Sequence, residues 1–148
     1  MLLLHGFSGT PFEVQPLAAA LRQQGYLCAT PLLHGHGRGV RALAHSTAED
    51  WLRSAERALL DLYDELLQQG PDPRLAVVGL SMGGVLALRL AQLYPPLVRA
   101  LGVLAAPVFL FGAQERMIRA LGRGPGAYLA VPKLFGSDVR DREARRLA

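Results

Sequence analysis

The sequence is poor in several residues that would point to particular chemistries. It has a single cysteine, Cys28, which excludes an internal disulfide. Lying in the strand-like run Tyr26 to Thr30, that thiol reads as a buried, inert side chain. There is one lysine against fifteen arginines in a chain of 148 residues with net charge +4. The arginines are spread along the chain without interleaved aromatics, so composition does not favour nucleic-acid binding. Long apolar runs are missing as well. The longest, Leu101 to Gly112, is broken by Pro107 and falls short of the ~20 residues that a membrane-spanning helix requires. The opening Met1-Leu2-Leu3-Leu4 lacks the basic stretch of a signal peptide, and a cytoplasmic location is the resulting expectation. The four histidines, His5, His34, His36 and His45, all lie in the first third of the chain.

What is present is an apolar half of the composition, 51% of residues, enough for the core of one domain. Short apolar runs, Leu2 to Leu4, Leu27 to Thr30, Leu75 to Leu80 and Ala100 to Ala105, alternate with helical periods. That alternation predicts an α/β fold with a mostly parallel sheet and flanking helices. Trp51, Ala55, Leu59, Leu62 and Leu66 recur at steps of three and four, the stripe of a helix lying with one face on a sheet. Ser46 with Glu49 fits a capping box at its start, and Gly70-Pro71 fits its stop. An earlier helix is expected from about Pro16, after a short turn over Thr10 to Glu13. Beyond Pro107 the rhythm is lost among glycines and prolines, and the charged tail Ser137 to Ala148 is helix-compatible. The expected division is a core over residues 1–106 and a cap or lid segment over 107–148.

The most specific motif is Gly79-Leu80-Ser81-Met82-Gly83-Gly84, between the strand-like Leu75 to Val78 and the helical Val85 to Ala91. A serine on so tight a strand-to-helix turn needs glycine two residues before and after it, where the two backbones would collide. The turn presents the Ser81 hydroxyl and aims the Met82 N–H at any oxyanion formed there. A second sharp turn, His5-Gly6-Phe7-Ser8-Gly9, follows the strand Leu2 to Leu4. If that strand neighbours the one ending at Ser81, the Phe7 N–H supplies a second oxyanion donor and its ring lines the pocket wall. His5 is expected to bond backbone and shape the loop rather than act as a base. His34-Gly35-His36-Gly37 reads as a mobile loop near the site, since glycine-rich backbone makes a poor frame for metal ligands. His45 is expected to be exposed.

Together, Leu2 to Phe7, the His34 to Gly37 loop, Trp51 and Gly79 to Gly84 resemble the bacterial carboxylesterases and monoacylglycerol lipases of the α/β-hydrolase superfamily, over roughly Leu2 to Pro107. The resemblance implies Ser81 as the nucleophile and the Phe7 and Met82 amides as the oxyanion hole. It implies a substrate pocket lined by Gly6, Phe7, Met82 and Phe109, the last within the apolar start of the cap. It implies a small-molecule ester or acyl substrate, no cofactor and no metal, and it leaves the oligomeric state open. It also implies a sheet in the order second, first, third, fourth. In that superfamily the acid and then the histidine follow the serine, whereas here every histidine precedes Ser81, and Asp138 and Asp141 lie in the charged tail. The expectation is therefore a form truncated on both sides with little turnover of its own. Two other readings share these residues: a non-catalytic acyl-ligand or protein-binding module of the same fold, and an acyltransferase or thioesterase.

Overall fold

A computed structural model describes residues 1–107. Residues 108–148, which include Phe109, Asp138, Asp141 and nearly all of the expected cap, lie outside the described part. The elements are β1 (Leu2–Leu4), a 3-10 turn (Pro11–Val14), α1 (Gln15–Gln23), α2 (Val40–Ala44), α3 (Ala48–Leu67), β2 (Leu75–Leu80), α4 (Met82–Leu93) and β3 (Val98–Leu104).

β1 pairs in parallel with β2, and β2 with β3. On the other edge of β1, the Leu3 N–H donates to Ala29 O and the Ala29 N–H donates to Met1 O, each at 2.9 Å. The order Ala29, β1, β2, β3 follows the expected one, but the expected strand Leu27 to Thr30 is reduced to a single parallel bridge, Leu2 to Ala29. β1 offers only three residues to pair with, and Pro31 has no N–H to extend the ladder.

Alternation along β1 separates two cores. Leu2 and Leu4 pack with Ala55, Leu59 and Leu62 of α3 and Leu86, Ala87 and Leu90 of α4. Leu3 faces the opposite way, onto Val14 and Ala18. At β1 the sheet is thus covered on both faces, which explains why β1 is wholly buried and reads as an unbroken leucine run, while β3 at the edge stays largely exposed. Cys28 is only half-buried, at the margin of the smaller core, because the bridge at Ala29 leaves its segment on the sheet edge.

α3 starts one residue later than the capping-box expectation. Thr47 is the N-cap: its Oγ1 accepts from the Asp50 N–H at 3.2 Å, and Asp50 Oδ2 accepts from the Thr47 N–H at 2.9 Å. The Thr47 hydrogen bonds and Arg53 lower the Asp50 carboxyl to about 2. Ser46, free of the cap, accepts from Trp51 Nε1 at 2.8 Å and donates to Leu43 O at 2.7 Å. α1 begins at Gln15 after the 3-10 turn, within a residue of the expected start. No helix among the described residues is long and apolar enough to cross a membrane.

Candidate active site

The site is built where β1 and β2, hydrogen-bonded neighbours, both end. After β2 the chain reverses into α4 through one residue. Ser81 sits at φ 53°, ψ −117°, in a region that side chains with a Cβ rarely occupy. Holding a non-glycine residue there costs on the order of 1–3 kcal/mol, so the surroundings must impose it. Two glycines do so by letting backbones meet. A Cβ on Gly79 would stand 2.0 Å from Gly83 O, and a Cβ on Gly83 would stand 2.4 Å from Leu4 O. The Ser81 N–H donates to Leu104 O at 2.8 Å, tying the turn to the end of β3. The serine is partly exposed, and no bond to its hydroxyl is found among the described residues.

The loop after β1 lies against this turn. A Cβ on Gly6 would be 3.4 Å from the Ser81 Cβ, ordinary contact. Glu13 holds the loop from one side, its Oε2 accepting from the Gly6 N–H at 3.0 Å. The Gly9 N–H donates to Gly6 O at 3.2 Å, and Ser8 takes φ 58°, so the loop is a tight turn. With the Gly6 N–H occupied, Phe7 carries the next amide along the loop. Among the described residues neither the Phe7 nor the Met82 N–H has a partner. Glu13 was not foreseen as a site residue, because Thr10-Pro11-Phe12-Glu13 carries the pattern of an ordinary helix start.

His5 is fully buried beneath the loop. Its Nε2 accepts from the Leu33 N–H at 3.2 Å, which requires the proton on Nδ1, and Nδ1 donates to Gly6 O at 2.9 Å. Both nitrogens are engaged with backbone, as the shaping role requires. Burial pushes the imidazolium pKa below its ordinary value, helped by His36, while the bond to Gly6 O and the Glu13 carboxylate act the other way.

The His34 to Gly37 loop departs from the expectation of a free loop. His34 is exposed, but His36 is buried and packs edge-on against three rings: His5 at 4.9 Å, Trp51 at 5.7 Å and Phe7 at 6.2 Å between centroids. Phe7 also meets Trp51 at 5.6 Å, while the residue remains 56% exposed. The physical reason is backbone reversal. Gly35 and Gly37 both take positive φ, 76° and 69°, which turns one histidine outward and the next inward. His45 is exposed as expected, its Nδ1 bonded to Arg41 O at 2.7 Å. Among the described residues no group of three or more His, Cys, Asp or Glu side chains could hold a metal ion. A wide, open hollow on α2, between Arg38, Val40, Arg41, Ala42 and His45, does not include Ser81.

A serine forced into a strained strand-to-helix turn, beside a glycine loop from the neighbouring strand, is a local arrangement that several folds could host. The full-length match decides between them: residues 1–148 fit the family described as "Alpha/beta hydrolase family". The chain belongs to the alpha/beta hydrolase family. It is 34% identical over 148 residues to a thermostable monoacylglycerol lipase of Bacillus sp. (strain H-257), covering all of this chain and 54% of the lipase. It is 34% identical over 110 residues to a carboxylesterase of Bacillus subtilis (strain 168), covering 74% of this chain and 42% of that enzyme. Among solved structures, one described under LipS and LipT, two metagenome-derived lipolytic enzymes, aligns with TM-score 0.72 and 31% identity over 84% of this chain and 47% of that one. The chain thus spans about half the length of the curated relatives it matches. The parallel three-stranded sheet with flanking helices is the alpha/beta hydrolase fold that the sequence implied.

Proposed function

We propose that this alpha/beta hydrolase cleaves carboxylic esters of the kind taken by carboxylesterases and monoacylglycerol lipases, through an acyl-enzyme on Ser81. The single observation that carries the reading is the Ser81 backbone, at φ 53° and ψ −117°, where a side chain is tolerated only because Gly79 and Gly83 let β2, α4 and β1 close in. Such stored strain presents a hydroxyl clear of its own backbone, which attack on an ester carbonyl needs. In this reading the Ser81 Oγ adds to the carbonyl carbon, and its proton passes through solvent water to the alcohol that later leaves. The oxygen gains the negative charge, and the N–H groups of Phe7 and Met82 receive it. Collapse of that intermediate expels the alcohol and leaves the acyl group on Ser81, from which water releases it.

Two donors left without partners fit an oxyanion hole, where removal of one donor costs about 2.7–4 kcal/mol of transition-state stabilisation. The exposed Phe7 ring supplies apolar wall for the acyl chain. His5 is not the general base, since both of its nitrogens are bonded to backbone.

The test is acyl trapping. Incubation with p-nitrophenyl butyrate followed by acid quench and peptide mass spectrometry should find one butyryl group on the peptide carrying Ser81, and none there in Ser81→Ala. Butyrylation spread over other serines, or unchanged by the substitution, would remove Ser81 as the nucleophile.

A further inference from the structure

The third histidine of the sequence has no place in the chemistry above, yet it is among the most buried polar groups of the described part. His36 is 2% exposed. Its Nδ1 lies 3.0 Å from His34 O, and because a carbonyl only accepts, Nδ1 must carry the proton. Nε2 is then a lone-pair acceptor, buried and without a partner among the described residues. A buried acceptor left in that state costs stability, so a hydrocarbon of the same shape would pack more cheaply at this position. The ring's surroundings suggest what it is doing there. It touches His5 on one side and Trp51 and Phe7 on the other, each in an edge-to-face arrangement.

Each neighbour is itself fixed. His5 is held by Leu33 and Gly6 backbone, and Trp51 by its Nε1 bond to Ser46. Ser46 in turn crowds Gly35, where a Cβ would fall 2.6 Å from its side chain, so the loop carrying His36 is clamped to the start of α3. Phe7 is the one ring of the four without a hydrogen-bonded anchor; it is held by packing alone, against Trp51 at 5.6 Å and His36 at 6.2 Å. Its side chain is half outside, its N–H is unbonded, and Glu13 secures only the preceding residue.

We infer that His36 is a positioning residue: wedged between His5 and Trp51, its ring fixes the Phe7 side chain and through it the direction of the Phe7 N–H. The significance of that direction rests on the oxyanion role proposed above, but the positioning itself does not. A ring plane set by the Nδ1 bond and three packed edges leaves Phe7 one position to occupy. A small side chain in place of His36 would leave a hole under the Phe7 ring, and the loop between Gly6 and Gly9 would sample several.

The experiment measures backbone 15N relaxation of the 148-residue chain and two variants. In the wild type the Phe7 amide should have the order parameter of rigid backbone, about 0.85, and in His36→Ala it should fall below about 0.6. Val77 and Leu90, buried in the main core, should stay rigid in both. His36→Phe keeps a ring against the three packed edges but loses the Nδ1 bond to His34 O, and it should restore most of the Phe7 value. In the acyl-trapping assay His36→Ala should lower the maximal rate of butyryl transfer about tenfold with the half-saturating ester concentration unchanged, the signature of lost transition-state stabilisation. A Phe7 amide that stays rigid in His36→Ala, or that loses order only together with Val77 and Leu90, overturns the inference. If butyryl transfer fails in the wild type while Phe7 order follows His36, the oxyanion role falls and the positioning stands.

Discussion

Gly6 and Ser81 face each other across the ends of two neighbouring strands, so close that a methyl group added to Gly6 would meet the Ser81 Cβ at 3.4 Å. This closeness sets the loop that carries one free amide beside the turn that carries the other.

Glycine substitutions therefore separate fold from function. Gly6→Ala meets nothing closer than 3.4 Å, so the chain should fold with its thermal midpoint within a few degrees of wild type, while the methyl crowds the approach to Ser81 and slows acylation by about 100-fold, the scale of a misplacement near 1 Å. Gly79→Ala puts a Cβ 2.0 Å from Gly83 O and should destabilise by about 3 kcal/mol or more, read from urea unfolding. Equal effects of the two on stability would contradict this division.

Glu13 deserves a test because its carboxylate holds the Gly6 N–H at 3.0 Å. Glu13→Ala frees that amide and should reduce acylation about tenfold, whereas Glu13→Gln, which keeps an acceptor oxygen, should recover most of it. A glutamine variant as poor as the alanine one would mean that the charge, not the hydrogen bond, sets the loop.

His5 predicts a pH dependence of stability. Its folded pKa lies below the ordinary 6.5, chiefly because burial disfavours the imidazolium, so the unfolded chain binds the proton more readily. The stabilisation is fully present above about 6.5 and is lost as pH falls below that value toward the folded pKa. Asp50, at about 2 against 3.8, acts in the same sense in a lower window, losing its contribution as pH drops through that range. Urea midpoints from pH 7.5 to 5 should decline in wild type and decline less in His5→Asn. A flat wild-type profile would show that His5 is not a buried neutral imidazole.

The strand, serine turn and helix around Ser81 were legible in the sequence because the glycine spacing that permits the turn is local. The parallel sheet followed from the alternation of apolar runs, and its strand order from the resemblance to the α/β-hydrolases. Other features depended on contacts that no local pattern carries. Ser46 with Glu49 and Thr47 with Asp50 fit the capping pattern equally, and only the capture of Ser46 by Trp51 Nε1 leaves Thr47 as the cap. Glu13 reaches Gly6 across seven positions of sequence from what reads as a helix start. His36 turns inward because two left-handed glycines flank it, and its three ring partners come from separate segments.

In the proposed mechanism Ser81 attacks a carbonyl whose oxygen is received by the Phe7 and Met82 amides. The most direct measurement adds an alkylboronic acid, which forms a tetrahedral, anionic adduct with a nucleophilic serine, and follows the 1H–15N resonances. The Phe7 and Met82 amide protons should move downfield together on addition, and both shifts should vanish in Ser81→Ala. Shifts that persist in Ser81→Ala, or an adduct on Ser81 that leaves the Phe7 amide unmoved, would contradict it.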